Sequence, residues 1–131
     1  MLKVLIADDE EKICQLIIKL INWEEMGLKI AATASNGIEA LEQAKICKPE
    51  ILITDIRMPG IDGMELIRKV KEKLPDTEII IISGYRHFEY AQTAIRYGVR
   101  NYLLKPIKKE ELRDTLQKIA DIYREKNEQL N

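Results

Sequence analysis

Acidic residues crowd the start of the chain, where Asp8, Asp9, Glu10 and Glu11 follow the apolar run Val4-Leu5-Ile6-Ala7. A single carboxylate, Asp55, follows a second run, Ile51–Thr54. Ser83 and Gly84 follow a third, Ile79–Ile82, and Lys105 and Pro106 a fourth, Tyr102–Leu104. If these positions converge, two carboxylates about 4 Å apart repel by roughly 4 kcal/mol at an effective dielectric of 20. Such a cluster must protonate or hold a cation. Oxygen donors with no His or Cys among them suit a hard divalent ion. Magnesium is favoured, because it often binds through one or two carboxylates, water and a phosphate oxygen. A metal beside an apposed lysine makes a pocket for a doubly charged phosphoryl group, carried on a ligand or bonded to the protein. Asp55 is a candidate nucleophile, since aspartate carboxylates form acyl phosphates in some enzymes.

Each position also has a plain structural reading. Asp8 or Asp9 can cap a helix whose first turn holds Glu10 and Glu11. Asp55 can open a turn before Pro59-Gly60, Ser83 can cap a helix, and Pro106 can sit in a first turn. What those readings leave unexplained is three carboxylates meeting in one cleft, and that depends on the elements that place them.

The four apolar runs, partly β-branched and bounded by turn residues, suit strands covered on both faces in a parallel sheet. Lys29–Ala34 is a weaker fifth candidate. Between the runs the spacing is helical. Ile13, Leu16, Ile17, Leu20 and Ile21 mark a first helix, and Ile38, Leu41 and Ala44 a second. Leu66, Val70 and Leu74 mark a third, Phe88, Ala91 and Ile95 a fourth, and Leu112, Leu116, Ile119 and Tyr123 a fifth. Five β-α repeats with right-handed crossovers predict a doubly wound α/β sandwich. In this class ligands bind beyond the carboxyl ends of the strands, near the point where strand order reverses. The acids, the hydroxyl and the lysine all stand at those ends.

The chain has 131 residues, enough for one domain with a sizeable core and too few for two ordinary ones. Hydrophobic residues make up 46% and charged residues 33%, which excludes disordered and low-complexity classes. With 21 Lys and Arg against 22 Asp and Glu, the net charge of −1 argues against direct nucleic-acid binding by this segment. Cys14 and Cys47 form no Cys-x-x-Cys pair and read as small packed thiols in helices, so no zinc or redox site is expected. No apolar stretch is long enough for a secretory signal or a membrane span, and a cytoplasmic location is expected, with no membrane partner. From Asp121 the composition turns polar. The expected layout is one domain over residues 1–122, with 123–131 a polar tail, either a frayed terminus or the start of a linker to a further output domain.

The sequence resembles receiver domains of two-component response regulators, the chemotaxis-regulator-like superfamily, over about residues 2–122. Five features carry the resemblance: Leu5-Ile6-Ala7-Asp8-Asp9-Glu10, Thr54-Asp55-Ile56-Arg57-Met58-Pro59-Gly60-Ile61-Asp62-Gly63, Ser83-Gly84, Tyr102, and Lys105-Pro106. It implies a flavodoxin-like sandwich with five parallel strands in the order 2-1-3-4-5. It implies that Asp55 is the phosphoacceptor, and that Asp8, Asp9, Asp55 and the backbone carbonyl of Arg57 hold Mg2+. Lys105 and Ser83 would contact the phosphoryl oxygens, and Tyr102 would be a switch aromatic turning inward behind Ser83. The Lys105–Pro106 peptide would be cis. The implied donor is a phosphohistidine on a partner sensor histidine kinase, and phosphorylation would alter the surface of the fourth helix, fifth strand and fifth helix. As a signalling domain the segment would be no metabolic enzyme, although it would assist its own phosphorylation and dephosphorylation.

Ile21-Asn22-Trp23-Glu24-Glu25-Met26-Gly27, the Ser83-to-Ala91 segment and the Gly98-to-Ile107 segment are similar to receivers that precede AraC-type DNA-binding domains. A C-terminal output domain controlling transcription is the implied partner. Trp23 reads physically as a core aromatic. Ala7 stands where a bulkier residue is usual, and Arg86-His87 at an often acidic position. Arg57 and Tyr85 are placed to line the approach of a hydrolysing water. His87, the only histidine, reads as a surface or packing residue and not as an internal relay. Tyr90 and Tyr97, on one side of the fourth helix, suit either a homodimer contact or a packed helix edge.

Other readings stay open. A flavodoxin-like FMN binder would need phosphate-cradling hydroxyls and amides where four acids stand. A haloacid-dehalogenase-type phosphatase would need an acid two positions after its nucleophile, where this chain has Arg57. A stand-alone phosphorelay receiver, or a binding module that works without phosphorylation, would share the fold.

Overall fold

The computed structural model describes residues 1–84, 88–99 and 101–130, with residues 88–91, 129 and 130 described by backbone alone. Tyr85, Arg86, His87 and the side chain of Tyr90, all singled out in the sequence, lie outside the described residues. Strands and helices alternate throughout: β1 (Leu2–Ala7), α1 (Glu11–Leu20), β2 (Leu28–Ala34), α2 (Gly37–Cys47), β3 (Ile51–Thr54), α3 (Gly63–Lys73), β4 (Glu78–Ser83), α4 (Phe88–Arg96), β5 (Asn101–Leu104) and α5 (Lys109–Leu130). All strand pairs are parallel, and the order across the sheet is β2-β1-β3-β4-β5. This is the doubly wound arrangement that the β-α pattern predicts, in the strand order that the family resemblance implies.

Each strand feeds two cores because successive side chains point to opposite faces. Val4, Ile6, Ile51, Ile53, Ile80 and Ile82 pack under α1 and α5 with Ile17, Leu112, Leu116 and Ile119. Leu5, Leu52, Ile79 and Ile81 pack on the other face with Ala40, Ala44, Leu66, Ile67 and Val70. Full burial of one such aliphatic side chain is worth about 1.5–3 kcal/mol, so unbroken apolar strands suit a sheet covered on both sides. Trp23 is buried in the first core, and its indole Nε1 donates to the carbonyl of Ile18 at 3.0 Å. Cys14 is buried and Cys47 half-buried, both as free thiols. Tyr97 packs partly buried against the second core, as a helix edge would.

Several details differ from the periodicity reading. Ile38 is 54% exposed and Ile95 71% exposed, and Leu16 is also exposed, although all three were counted on core-facing stripes. The core face of α2 is Ala40 and Ala44. Small residues let that helix lie close to the sheet, so its apolar signal is weak and nearby isoleucines mimic it. Helix α5 also runs on to Leu130, beyond the expected end of the domain. No Gly or Pro interrupts residues 107–130, and Glu, Lys, Arg and Gln are good helix formers, so rising polarity did not signal a break. The extension is attached to the body of the domain. The Tyr123 hydroxyl lies within hydrogen-bond reach of the carbonyls of Glu50 and Asp76, which share its single proton, and Arg124 donates to the Met26 carbonyl at 3.1 Å. Among the described residues no helix is long and apolar enough to cross a membrane.

Candidate functional site

Strand order reverses between β1 and β3, so the loops that leave their carboxyl ends flank a crevice. Ala7 is in register with Thr54, Thr54 with Ile81, and Ser83 with Leu104. The next residues continue the ladder: Asp55 N donates to the Ala7 carbonyl at 3.1 Å, Asp8 N to Ala34 at 3.1 Å, and Lys105 N to Ser83 at 2.8 Å. Asp8, Asp55 and Lys105 are thereby carried to one rim by the sheet itself.

The side chains meet there. Lys105 Nζ donates to Asp55 Oδ2 at 3.0 Å and to Asp8 Oδ2 at 3.2 Å, bridging two carboxylates that are only 6% and 3% exposed as residues. Asp55 Oδ1 accepts from the backbone N–H of Ile56 at 2.6 Å, and Asp8 Oδ1 from that of Glu10 at 2.9 Å. Burial pushes the Asp8 carboxyl above its ordinary value, against the opposing pull of the Glu10 amide and Lys105. Burial acts to lower the Lys105 ammonium, but its contacts with Asp55 and Asp8 outweigh that and hold it above the ordinary lysine value. The lysine ammonium is thus held between the two carboxyl groups.

Carboxylate oxygens of Asp8, Asp9 and Glu10 lie within 4.8 Å of one another, with Asp9 and Glu10 open to solvent. The donors are all hard oxygens, which fits magnesium and not a softer metal. Glu10 joins this cluster although the sequence reading assigned it no ligand role. Asp55 meets the cluster across the Lys105 ammonium.

Ser83, at the end of β4, is fully buried. Tyr102 pairs with Ile81 and packs half-buried against the second core. Arg57 sits exposed on the loop after Asp55, and the Lys105–Pro106 peptide is cis. That loop is tightly seated. Gly63 N donates to the Ile56 carbonyl at 2.5 Å, and the Asp62 side chain caps α3 by accepting from Glu65 N at 2.9 Å. Sequence reasoning gave no role to two glycines beside this loop. A Cβ on Gly63 would lie 2.1 Å from the Asp55 carbonyl oxygen, and one on Gly37 would lie 2.0 Å from that of Ile61. Gly63 closes the Thr54-to-Gly63 motif that carries the resemblance, whereas the signal at Gly37 was a glycine at a helix start, which also suits an ordinary turn.

The comparisons agree with this geometry. The family model for the response regulator receiver domain matches residues 4–117. The uncharacterized transcriptional regulatory protein YesN of Bacillus subtilis is 43% identical over 126 residues, which cover 95% of this chain and 34% of that protein. The REC domain of AraT, a response regulator from Geobacillus stearothermophilus, superposes with a TM-score of 0.91 at 41% identity, covering 96% of this chain and 98% of that one. A two component transcriptional regulator AraC from Clostridium phytofermentans superposes with a TM-score of 0.85 at 36% identity, covering 92% and 94%. The chain spans between about a third and a half of the length of the curated relatives it matches. With the strand order, the acid rim and a family match across most of its length, the chain belongs to the response regulator receiver domains of two-component systems.

Proposed function

We propose that Asp55 accepts a phosphoryl group from a phosphohistidine on a partner sensor kinase. In the transfer, the bond from phosphorus to the histidine nitrogen breaks, and that nitrogen keeps the electron pair. A bond forms from phosphorus to a carboxylate oxygen of Asp55, giving an acyl phosphate. The observation that carries this reading is the Lys105 ammonium held between Asp55 Oδ2 and Asp8 Oδ2. It is a fixed positive charge beside the nucleophile, placed to meet incoming phosphoryl oxygens.

Asp8, Asp9, Asp55 and the Arg57 carbonyl would hold Mg2+, and the exposed Glu10 carboxylate adjoins that set. The ion would supply neutralisation of phosphoryl charge. The chain's own residues do the rest. The Ile56 amide orients Asp55 through Oδ1, leaving Oδ2 toward the lysine. Burial of Asp8 and Asp55 keeps the charges strongly felt. Ser83, buried at the end of β4, would turn its hydroxyl to the new phosphoryl oxygens, and Tyr102, three residues before Lys105 on β5, would fill the space behind it. A changed surface on α4, β5 and α5 would then inform an AraC-type output domain in the cytoplasm, or a second copy of the domain.

Incubation with magnesium and acetyl phosphate, read by intact mass, tests the reading. One labile phosphoryl mass that requires magnesium supports it. An unchanged mass, or equal uptake by Asp55→Asn, contradicts it.

A further inference from the structure

The loop that carries Arg57 is pressed from outside by a helix that contributes no side chain to the acid rim. Gly37, the first residue of α2, lies directly under residues 59–61. Its N–H faces the Pro59 carbonyl at 3.4 Å, and a Cβ there would stand 2.0 Å from the Ile61 carbonyl oxygen, 2.9 Å from its carbonyl carbon and 2.5 Å from Ile61 Cγ1. Two of those atoms are backbone, so no rotamer change relieves the contact. Something must move, either α2 or the loop.

The helix is poorly placed to yield. Asn36 caps it by accepting from Glu39 N at 2.8 Å, and the Glu39 carboxylate accepts from the Ser35 hydroxyl at 3.1 Å, closing the first turn from both directions. Ala40 and Ala44 then seat the next two turns in the core. The loop is held by hydrogen bonds at its ends, by the Asp55–Ile56 contact on one side and by the Gly63 and Asp62 bonds on the other. Between these ends Met58 is buried in the second core, Ile61 packs against it, and residues 59 and 61 meet α2 at the bare Cα of Gly37.

We infer that Gly37 is a positioning residue, whose missing side chain lets α2 set the height of residues 59–61 and, through the short chain that joins them to Asp55, the placement of the Arg57 backbone. This rests on the phosphoacceptor reading and extends it, because α2 becomes part of what shapes the site.

The test is Gly37→Ala in the whole chain, with Ile119→Val as a destabilised control far from the rim. Backbone amide shifts of residues 55–58 and 60–62 are read by NMR without metal, and magnesium affinity by calorimetry. Gly37→Ala is expected to move those amides and weaken magnesium binding roughly tenfold or more, as loss of an outer support does at metal sites. Ile119→Val keeps the wild-type affinity. Asn36→Ala, which loosens the same turn without adding an atom, shifts affinity in the same direction by less and serves if Gly37→Ala does not fold. Unmoved loop amides, or wild-type affinity in the folded variants, overturn the inference. Amides that move in a domain whose wild type takes up no phosphoryl group uphold the seating of the loop and overturn the phosphoacceptor reading instead.

Discussion

Lys105 and Asp55 meet at 3.0 Å across 50 residues of sequence, and the same ammonium reaches Asp8 at 3.2 Å, 97 residues away. Neither acid is adjacent to the lysine's strand in the sheet order, since β5 lies beyond β4. A long, flexible cation is what spans that gap, and it compensates two buried charges at once.

Removing that cation takes away the ammonium that the two buried carboxyl groups share. Lys105→Ala is expected to lower the stability of the metal-free domain by about 1–3 kcal/mol, the usual cost of stranding buried polar groups. Added magnesium should recover more stability in this variant than in wild type. Urea melts with and without magnesium check both statements, and a variant as stable as wild type without metal would contradict them.

At the opposite end of the sheet, Tyr123 ties α5 to the starts of β3 and β4 through the carbonyls of Glu50 and Asp76. Burial, with the acids Glu78, Glu50 and Asp76 nearby, holds its hydroxyl well above the ordinary value of 10.0. A folded value raised above the unfolded one means the neutral tyrosine's contribution is complete below about pH 10 and is lost as pH climbs past it. Tyr123→Phe should therefore cost about 1 kcal/mol at pH 7. The gap between wild type and variant should shrink above pH 10, as measured by paired melts across that range. A gap that widens with pH would contradict this.

The end of the domain is testable by truncation. A chain ending at Ile122 loses both Tyr123 bonds and the Arg124–Met26 bond, and is expected to be about 2–3 kcal/mol less stable than one ending at Asn127. Equal melting temperatures would return residues 123–127 to the status of a tail.

How far these features could be read beforehand follows from what each depends on. The apolar runs are buried on both faces, so Val4–Ala7 and Ile79–Ile82 announce a covered parallel sheet, and β-α alternation makes it doubly wound, whereas the strand order was implied by the family resemblance. Asp8, Asp55, Ser83 and Lys105 were legible as rim residues because each stands immediately after a run. The lysine's bridging of both acids was not, since it depends on side-chain reach across β4. Ile38 and Ile95 misled because periodicity counts apolar residues without knowing which face is covered. Tyr123 carried the helical spacing of α5, but the charged residues after it masked the backbone carbonyls that its hydroxyl would find. Gly37 was silent for a different reason: what matters there is an atom the residue does not have.

The central claim is that phosphorus is accepted on one carboxylate, at Asp55. Treating the phosphodonor-exposed domain with borohydride reduces an acyl phosphate at the site where it formed, and peptide mapping then locates the altered aspartate. The account predicts modification of Asp55 alone, dependent on magnesium and absent without the phosphodonor. Modification at Asp8 or Asp9, or none at all in a folded domain, would contradict it.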